Sequence, residues 1–259
     1  MDLQRTTALQ EPLVHAVAEE SLLRERVLET SIRHLDDLIG GFRSANVTLF
    51  DSDNAYPSDL LNMLCVRAVS EFDEEVVWID GGNTIDPYAM SSLCKRLRID
   101  KRDVLSRVNL SRAFTAYQLV TLIDERLEEQ VLECRPSTVF VSSITGLFLD
   151  KDMKWMESHQ LLRRCLENIS RITKENETIS FVTNHAHQPL RPSPKLTSLL
   201  YEHADVVVQM RLRRDGMLFR LPRLERETVF SPVPWNQLTL DEFRGDLDRK
   251  DRGHIPLGP

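Results

Sequence analysis

The sequence predicts an α/β protein: a three-layer α/β/α domain with a mostly parallel central sheet and a C-terminal β-hairpin. Three observations predict it. Short apolar runs such as EVVWID (Glu75–Asp80), TVFVS (Thr138–Ser142) and TISFVT (Thr178–Thr183) recur along the chain. Strands covered on both faces need that near-continuous apolar character. Amphipathic helical stretches separate the runs, the alternation expected of parallel crossover units. Lastly, Asp215-Gly216 stands between two apolar-alternating stretches, a strong two-residue hairpin signal.

Composition bounds the rest. A chain of 259 residues fits one large domain with appendages. A formal net charge of -7 argues against a whole-surface nucleic-acid binder but permits a local basic patch. Cys65, Cys94, Cys134 and Cys165 lack CxxC spacing, so they read as buried reduced thiols. No run is long and apolar enough for a signal peptide or a bilayer span. The expectation is a cytoplasmic protein with no membrane partner.

In chain order, 1–27 reads as a polar start and a helical extension, with Leu13, Val17, Leu22, Leu23 and Val27 at helical spacing. The core domain then spans 28–243. Thr30 or Ser31 caps a short helix bearing Ile32, Leu35, Leu38 and Ile39, ended by Gly40-Gly41. Val47, Leu49 and Phe50 form a buried strand. Asp51 to Pro57 is turn chemistry, and Ser58 or Asp59 caps a helix presenting Leu60, Leu61, Leu64 and Val69. A helix from Pro87 to Arg98, a short strand Val108–Arg112 and a long helix Ala116–Cys134, stopped by Pro136, come next. Lys154 to Glu175 is the second long helix. The Asp215-Gly216 turn pairs Leu212 with Phe219 and Met210 with Leu221, and sets Arg211 opposite Arg220. Like charges in that position need an acidic neighbour or a bound anion. The tail 244–259 is charged and reads as mobile.

The stretch Asp51, Ser52, Asp53, Asn54, Ala55, Tyr56, Pro57, Ser58 is the focus. In nucleotide-binding α/β proteins this strand–loop–helix position holds GxxxxGK[ST], whose backbone N–H groups and lysine cradle phosphate. Here there is no Gly and no Lys, and Asp51, Asp53 and Asp59 add repulsive charge. The strand ends carry Asp51, Asp80, Ser142 and Asn184, where ligands of such sheets sit. Asp51, Asp53, Asp59, Asp80 and Asp86 are either rim and cap residues or ligands for a hard cation. His185 and His187 have no third ligand nearby and read as capping residues.

The order of the pieces resembles the ATPase core of the RecA/RadA recombinase superfamily, especially archaeal RadA-like paralogues, over Leu28 to Phe243. LETSIRHLDDLIGG is similar to that family's Leu-Asp-x-Leu-x-Gly-Gly segment. VVWIDGGNTIDP, VNLSRAFTAYQ, STVFVSSITGLF, FVTNH and ADVVVQMRLRRDGMLFRLPRL are similar to its successive strands, Walker B region, T-N-Q strand and hairpin. Against that pattern the phosphate-loop Lys and Ser/Thr are missing, the catalytic Glu position is Gly82, the Walker B acid is Ser142, and the final Gln is His185. The resemblance therefore implies a RecA-like domain that has lost ATP turnover: no catalytic residues, no cofactor, no metal. It implies an ATP-independent accessory or scaffold in DNA recombination and repair. Its partners would be an active RadA-like recombinase or other RecA-like subunit and single-stranded DNA, in a homo- or hetero-oligomer. Arg191, Lys195, Arg211, Arg213 and Arg220 are the DNA- or partner-binding candidates, interleaved with Asp215, Glu225 and Glu227. Two alternatives stay open: a KaiC-like regulatory protein without a DNA role, and a Mg²⁺-dependent phosphoesterase using Asp51 and Asp80.

Overall fold

The computed structural model describes residues 26–150, 152–185 and 194–231. Most of the expected helical extension, residues 186–193 with His187 and Arg191, and the tail 244–259 lie outside them.

Val27–Leu28 (β1) and Phe42–Arg43 (β2) pair antiparallel and bracket the short helix Arg33–Ile39 (α1). Thr30 organises its start: its Oγ1 accepts from the Ile32 N–H at 2.9 Å and donates to Asp36 at 2.7 Å. Gly40 closes the helix in the left-handed region that glycine tolerates best.

The main sheet has eight strands in the order β10-β9-β8-β3-β7-β6-β4-β5. They are Val47–Ser52 (β3), Val76–Asp80 (β4), Val108–Arg112 (β5), Thr138–Ser142 (β6), Ile179–His185 (β7), Val206–Arg213 (β8), Gly216–Leu221 (β9) and Arg226–Phe230 (β10). The run from β8 to β5 is parallel, and β9 and β10 extend it antiparallel. The central parallel strands match the expected apolar runs because each is buried on both faces.

Helices cover both faces. On one side Tyr56–Phe72 (α2), Pro87–Leu97 (α3) and Lys101–Ser106 (α4) pack over a ladder of aromatic rings. Phe50, Phe181, Phe140 and Trp78 stack in sequence across β3, β7, β6 and β4, with centroids 5.7, 5.3 and 4.9 Å apart. Such offset pairs add to the burial of the rings themselves. On the other side lie Ala116–Thr121 (α5), Leu127–Cys134 (α6), Trp155–Glu175 (α7) and Pro194–His203 (α8).

The structure corrects several expectations. Val27 lies in β1, not on a helix. Ile32, rather than Thr30 or Ser31, is the N-cap of α1, with Thr30 acting from two residues before it. The helix expected to run unbroken over Ala116–Cys134 contains a π-helical turn, Leu122–Arg126. Within it Asp124 meets Arg164 at 2.6 Å and Asn168 at 2.7 Å on α7. Cys134, at the end of α6, is half-buried, whereas Cys65, Cys94 and Cys165 are buried as expected. Asp51 and Ser52 belong to β3 rather than to the turn. Helix α2 begins at Tyr56 after Ala55, so neither Ser58 nor Asp59 caps it.

The hairpin is shifted too. Its turn is Arg214-Asp215, so Met210 faces Phe219, Leu212 faces Met217, Gln209 faces Arg220 and Arg211 faces Leu218. Arg211 and Arg220 are therefore not opposed. The reason lies at Gly216, which sits in β9 with φ 141° under the Phe230 carbonyl, where a Cβ would collide. The sequence pattern also gave no sign of α4, α8 and β10.

Candidate functional site

The carboxyl ends of β3, β7, β6 and β4 bring Asp51, Asn184, Ser142 and Asp80 to one rim. The connection from β3 to α2 is only 53–55. Its hydrogen bonds are internal. Ser52 Oγ accepts from the Asn54 N–H at 3.2 Å, and Asn54 Oδ1 accepts from the Tyr56 N–H at 2.9 Å. Pro57 has no N–H, and the Ser58 N–H donates to the Ala55 carbonyl at 2.9 Å. The helix start that would face a phosphate thus has its leading donors committed or absent. Asp59 adds a carboxyl in the first turn, pushed up to about 7 by burial and then by Asp86.

Asp51 is buried and held by distant elements. Its carboxylate accepts from Asn184 Nδ2 at 2.9 Å, Tyr201 Oη at 2.7 Å and Arg211 Nη2 at 3.0 Å. Arg211 Nη1 also donates to the Asp51 carbonyl at 2.8 Å. Gln209 Nε2 donates to Tyr201 Oη at 2.8 Å, and Thr145 Oγ1 donates to Asn184 Oδ1. Burial, then the bond to Asp51, pushes the Tyr201 hydroxyl up to about 12.

Asp80 is held by its own neighbourhood. It accepts from the N–H groups of Gly82 at 3.1 Å, Thr84 at 2.9 Å and Ile85 at 3.3 Å, and from Thr84 Oγ1 at 3.1 Å. Ser142 Oγ donates to it at 2.8 Å and accepts from Trp78 Nε1 at 3.1 Å. Burial alone would raise the Asp80 carboxyl, but bonds from Thr84, Ser142, Gly82 and Ile85 overcome it and hold it below the usual range.

Gly82 lies against Ser143, and a Cβ there would overlap the Ser143 Cβ and Oγ. A longer side chain at this position therefore requires Ser143 to move. Among the described residues no group of three or more His, Cys, Asp or Glu side chains converges to hold a metal ion. Asp51 and Asp80 sit in separate networks, so the convergence required by the phosphoesterase alternative is not found among the described residues.

The basic candidates divide. Arg211 turns inward to Asp51, while Arg213 and Arg220 are exposed on the same face of the hairpin. Glu227 on β10 stands directly opposite Arg220 and supplies the acidic neighbour. Lys195 lies elsewhere, its Nζ 5.6 Å from the Trp155 ring centroid. Arg191 lies outside the described residues. Tyr201 and Gln209 are members of the site that the sequence pattern does not reveal, because nothing local links them to Asp51.

A strand–loop–helix at the centre of a mostly parallel sheet, with its polar residues at the strand ends, defines a RecA-like ATPase-type domain. The chain belongs to the Rad51 family: the family model described as Rad51 matches residues 24–194. It is similar to the meiotic recombination protein DLH1 of Candida albicans, 25% identical over 178 residues, covering 65% of this chain and 55% of that protein. It is also similar to the DNA repair protein RAD51 of Saccharomyces cerevisiae, 28% identical over 128 residues, covering 47% of this chain and 32% of that protein. The matches thus span about half or less of these relatives. Among the described residues no helix is long and apolar enough to cross a membrane.

Proposed function

We propose that this chain is a Rad51-family protein that neither binds nor hydrolyses ATP and serves DNA recombination or repair as an accessory or scaffold. One observation carries the reading. The rim where a phosphate loop would work is saturated by the chain's own groups: Arg211 on Asp51, and Ser142 with backbone N–H groups on Asp80. The family match and the two relatives support the process. The lost lysine, the short 53–55 connection and the Gly82–Ser143 contact support the loss of turnover. In this reading the chain joins an active recombinase, as a homo- or hetero-oligomer, near single-stranded DNA. Arg213, Arg220 and Lys195 contribute surface cations.

The test is joint-molecule formation by an active recombinase on single-stranded DNA, with and without this protein. The expected result is a change in yield or filament lifetime that persists when this chain carries Ser52→Ala, which alters the residual loop. An absence of any effect, together with an absence of co-sedimentation with the recombinase, contradicts the proposal.

A further inference from the structure

Helices α3 and α4 meet at a corner that the strand-end site does not use. The chain leaves β4 at its carboxyl end, and the parallel β5 starts again at Val108. The corner between them therefore lies toward the opposite edge of the sheet. Lys95, Arg98, Lys101 and Arg102 fall there, and all four are exposed. Among the described residues none of the four has an ion-pair partner or a side-chain hydrogen bond.

The corner is compact, its connection being only 98–100. The Ile99 N–H donates to the Cys94 carbonyl at 2.9 Å and the Arg98 N–H to the Lys95 carbonyl at 3.3 Å, the paired bonds of a Schellman close. Leu93, Cys94 and Val104 are buried in the core, and Leu97 and Ile99 pack against it. The four cations thus share one surface.

Local structure does not account for them. Lys95 suits the carboxyl end of α3. Lys101 and Arg102, however, open α4, where the helix dipole favours acids. Arg98 sits at φ 57°, a left-handed position that glycine fills most readily. Residues set against local preference mark function. The nearby carboxylates are committed. Asp100 accepts from the Arg102 N–H at 2.9 Å, Asp103 and Asp73 meet Arg107 at 2.9 and 2.5 Å, and Glu71 on α2 meets Arg67 at 3.0 Å. Helix α3 itself carries no acid.

Tyr88 extends the surface. It is 86% exposed. It precedes Lys95 by two helical turns, so the two share one face of α3, about 10 Å apart. Exposed Ser92 lies between them, its hydroxyl donating back to the Tyr88 carbonyl at 2.9 Å.

We propose that this face of α3 and the corner with α4 bind single-stranded nucleic acid. Phosphates run along Lys95, Arg98, Lys101 and Arg102, and a base stacks on Tyr88. A protein partner fits less well. The centre of a protein interface is poor in lysine and apolar, whereas here Leu97 and Ile99 turn into the core. The surface is separate from the hairpin cations Arg213 and Arg220, which lie on the far side of the sheet. The proposal is independent of the strand-end reading.

Fluorescence anisotropy of the full chain with labelled oligo(dT), over a salt series, tests it. Duplex DNA of the same length and polyglutamate are the competitors. Oligo(dT) is expected to bind with an affinity that falls steeply with salt. Arg98→Gly with Lys101→Glu and Arg102→Glu is expected to weaken binding about tenfold and flatten the salt slope. Its melting temperature should hold or rise, because glycine suits the left-handed position and acids suit the first turn of α4. Tyr88→Ala is expected to weaken binding about fivefold with the slope unchanged. Tyr88 is exposed, so this variant tests the surface even if the triple variant fails to fold. Absence of oligo(dT) binding, unchanged affinity in either variant, or displacement by polyglutamate or duplex as readily as by unlabelled oligo(dT) overturns the proposal.

Discussion

Asp51 and Asp80 occupy equivalent places, each the buried carboxylate at the end of a parallel strand, yet they are stabilised in different ways. Asp80 is wrapped by the loop that follows it and by Ser142 on the neighbouring strand. Asp51 depends on Asn184, Tyr201 and Arg211, up to 160 residues away. The first arrangement is dominated by neutral donors close at hand. Both include a partly exposed arginine, but Arg112 stands 3.9 Å from Asp80, whereas Arg211 meets Asp51 at hydrogen-bond distance, 3.0 Å. The contrast teaches that one rim can be closed by short-range hydrogen bonding at one end and long-range charge pairing at the other.

The largest expected break is at the Asp80 end. Ser142→Asp places a second carboxylate beside Asp80 and should cost about 3–5 kcal/mol at neutral pH. Urea denaturation measures it, and the loss should shrink in acid as one carboxylate takes up a proton. At the Asp51 end, Arg211→Met strands a buried carboxylate. Because Arg211 is partly exposed, the expected loss is smaller, about 1–3 kcal/mol. Asp51→Asn in the same background should recover part of it, and a double-mutant cycle reads the coupling.

The acids also separate by pH. Asp80 has a depressed folded pKa, so its contribution is present above the unfolded value and is lost as pH falls through the folded one. Asp59 has the opposite sign. Its folded pKa of about 7 exceeds the unfolded value, so stability falls as pH rises from the unfolded value to about 7. Asp59→Asn should therefore raise stability by about 1–2 kcal/mol above that pH and change it little in acid. Thermal melts across pH compare the two. The smallest expected effect is Lys195→Ala, roughly 0.5 kcal/mol or less in the same melts, since its contact with Trp155 is exposed.

The parallel strands were legible because burial on both faces leaves a continuous apolar signature, as in VVWID and TVFVS. That 51–58 holds no Gly and no Lys is a property of the sequence itself, and the loss of phosphate binding inferred from it is part of the proposed function. The hairpin register was not, because Asp-Gly normally marks the turn itself and here Gly216 lies in the strand. Its actual constraint is the approach of Phe230 on β10, a strand with no clear apolar alternation. The Asp51 network was hidden for a related reason: its partners come from α8 and β8, and only the closed sheet brings them together. Ser142 read as a lost acid, and the structure adds what the serine does, donating to Asp80.

Isothermal titration of the full chain with ATP, with and without Mg²⁺, tests the central claim most directly. The account predicts no saturable heat in either case and no nucleotide-dependent gain in melting temperature. Saturable, Mg²⁺-dependent binding that is lost on Asp80→Asn would contradict it.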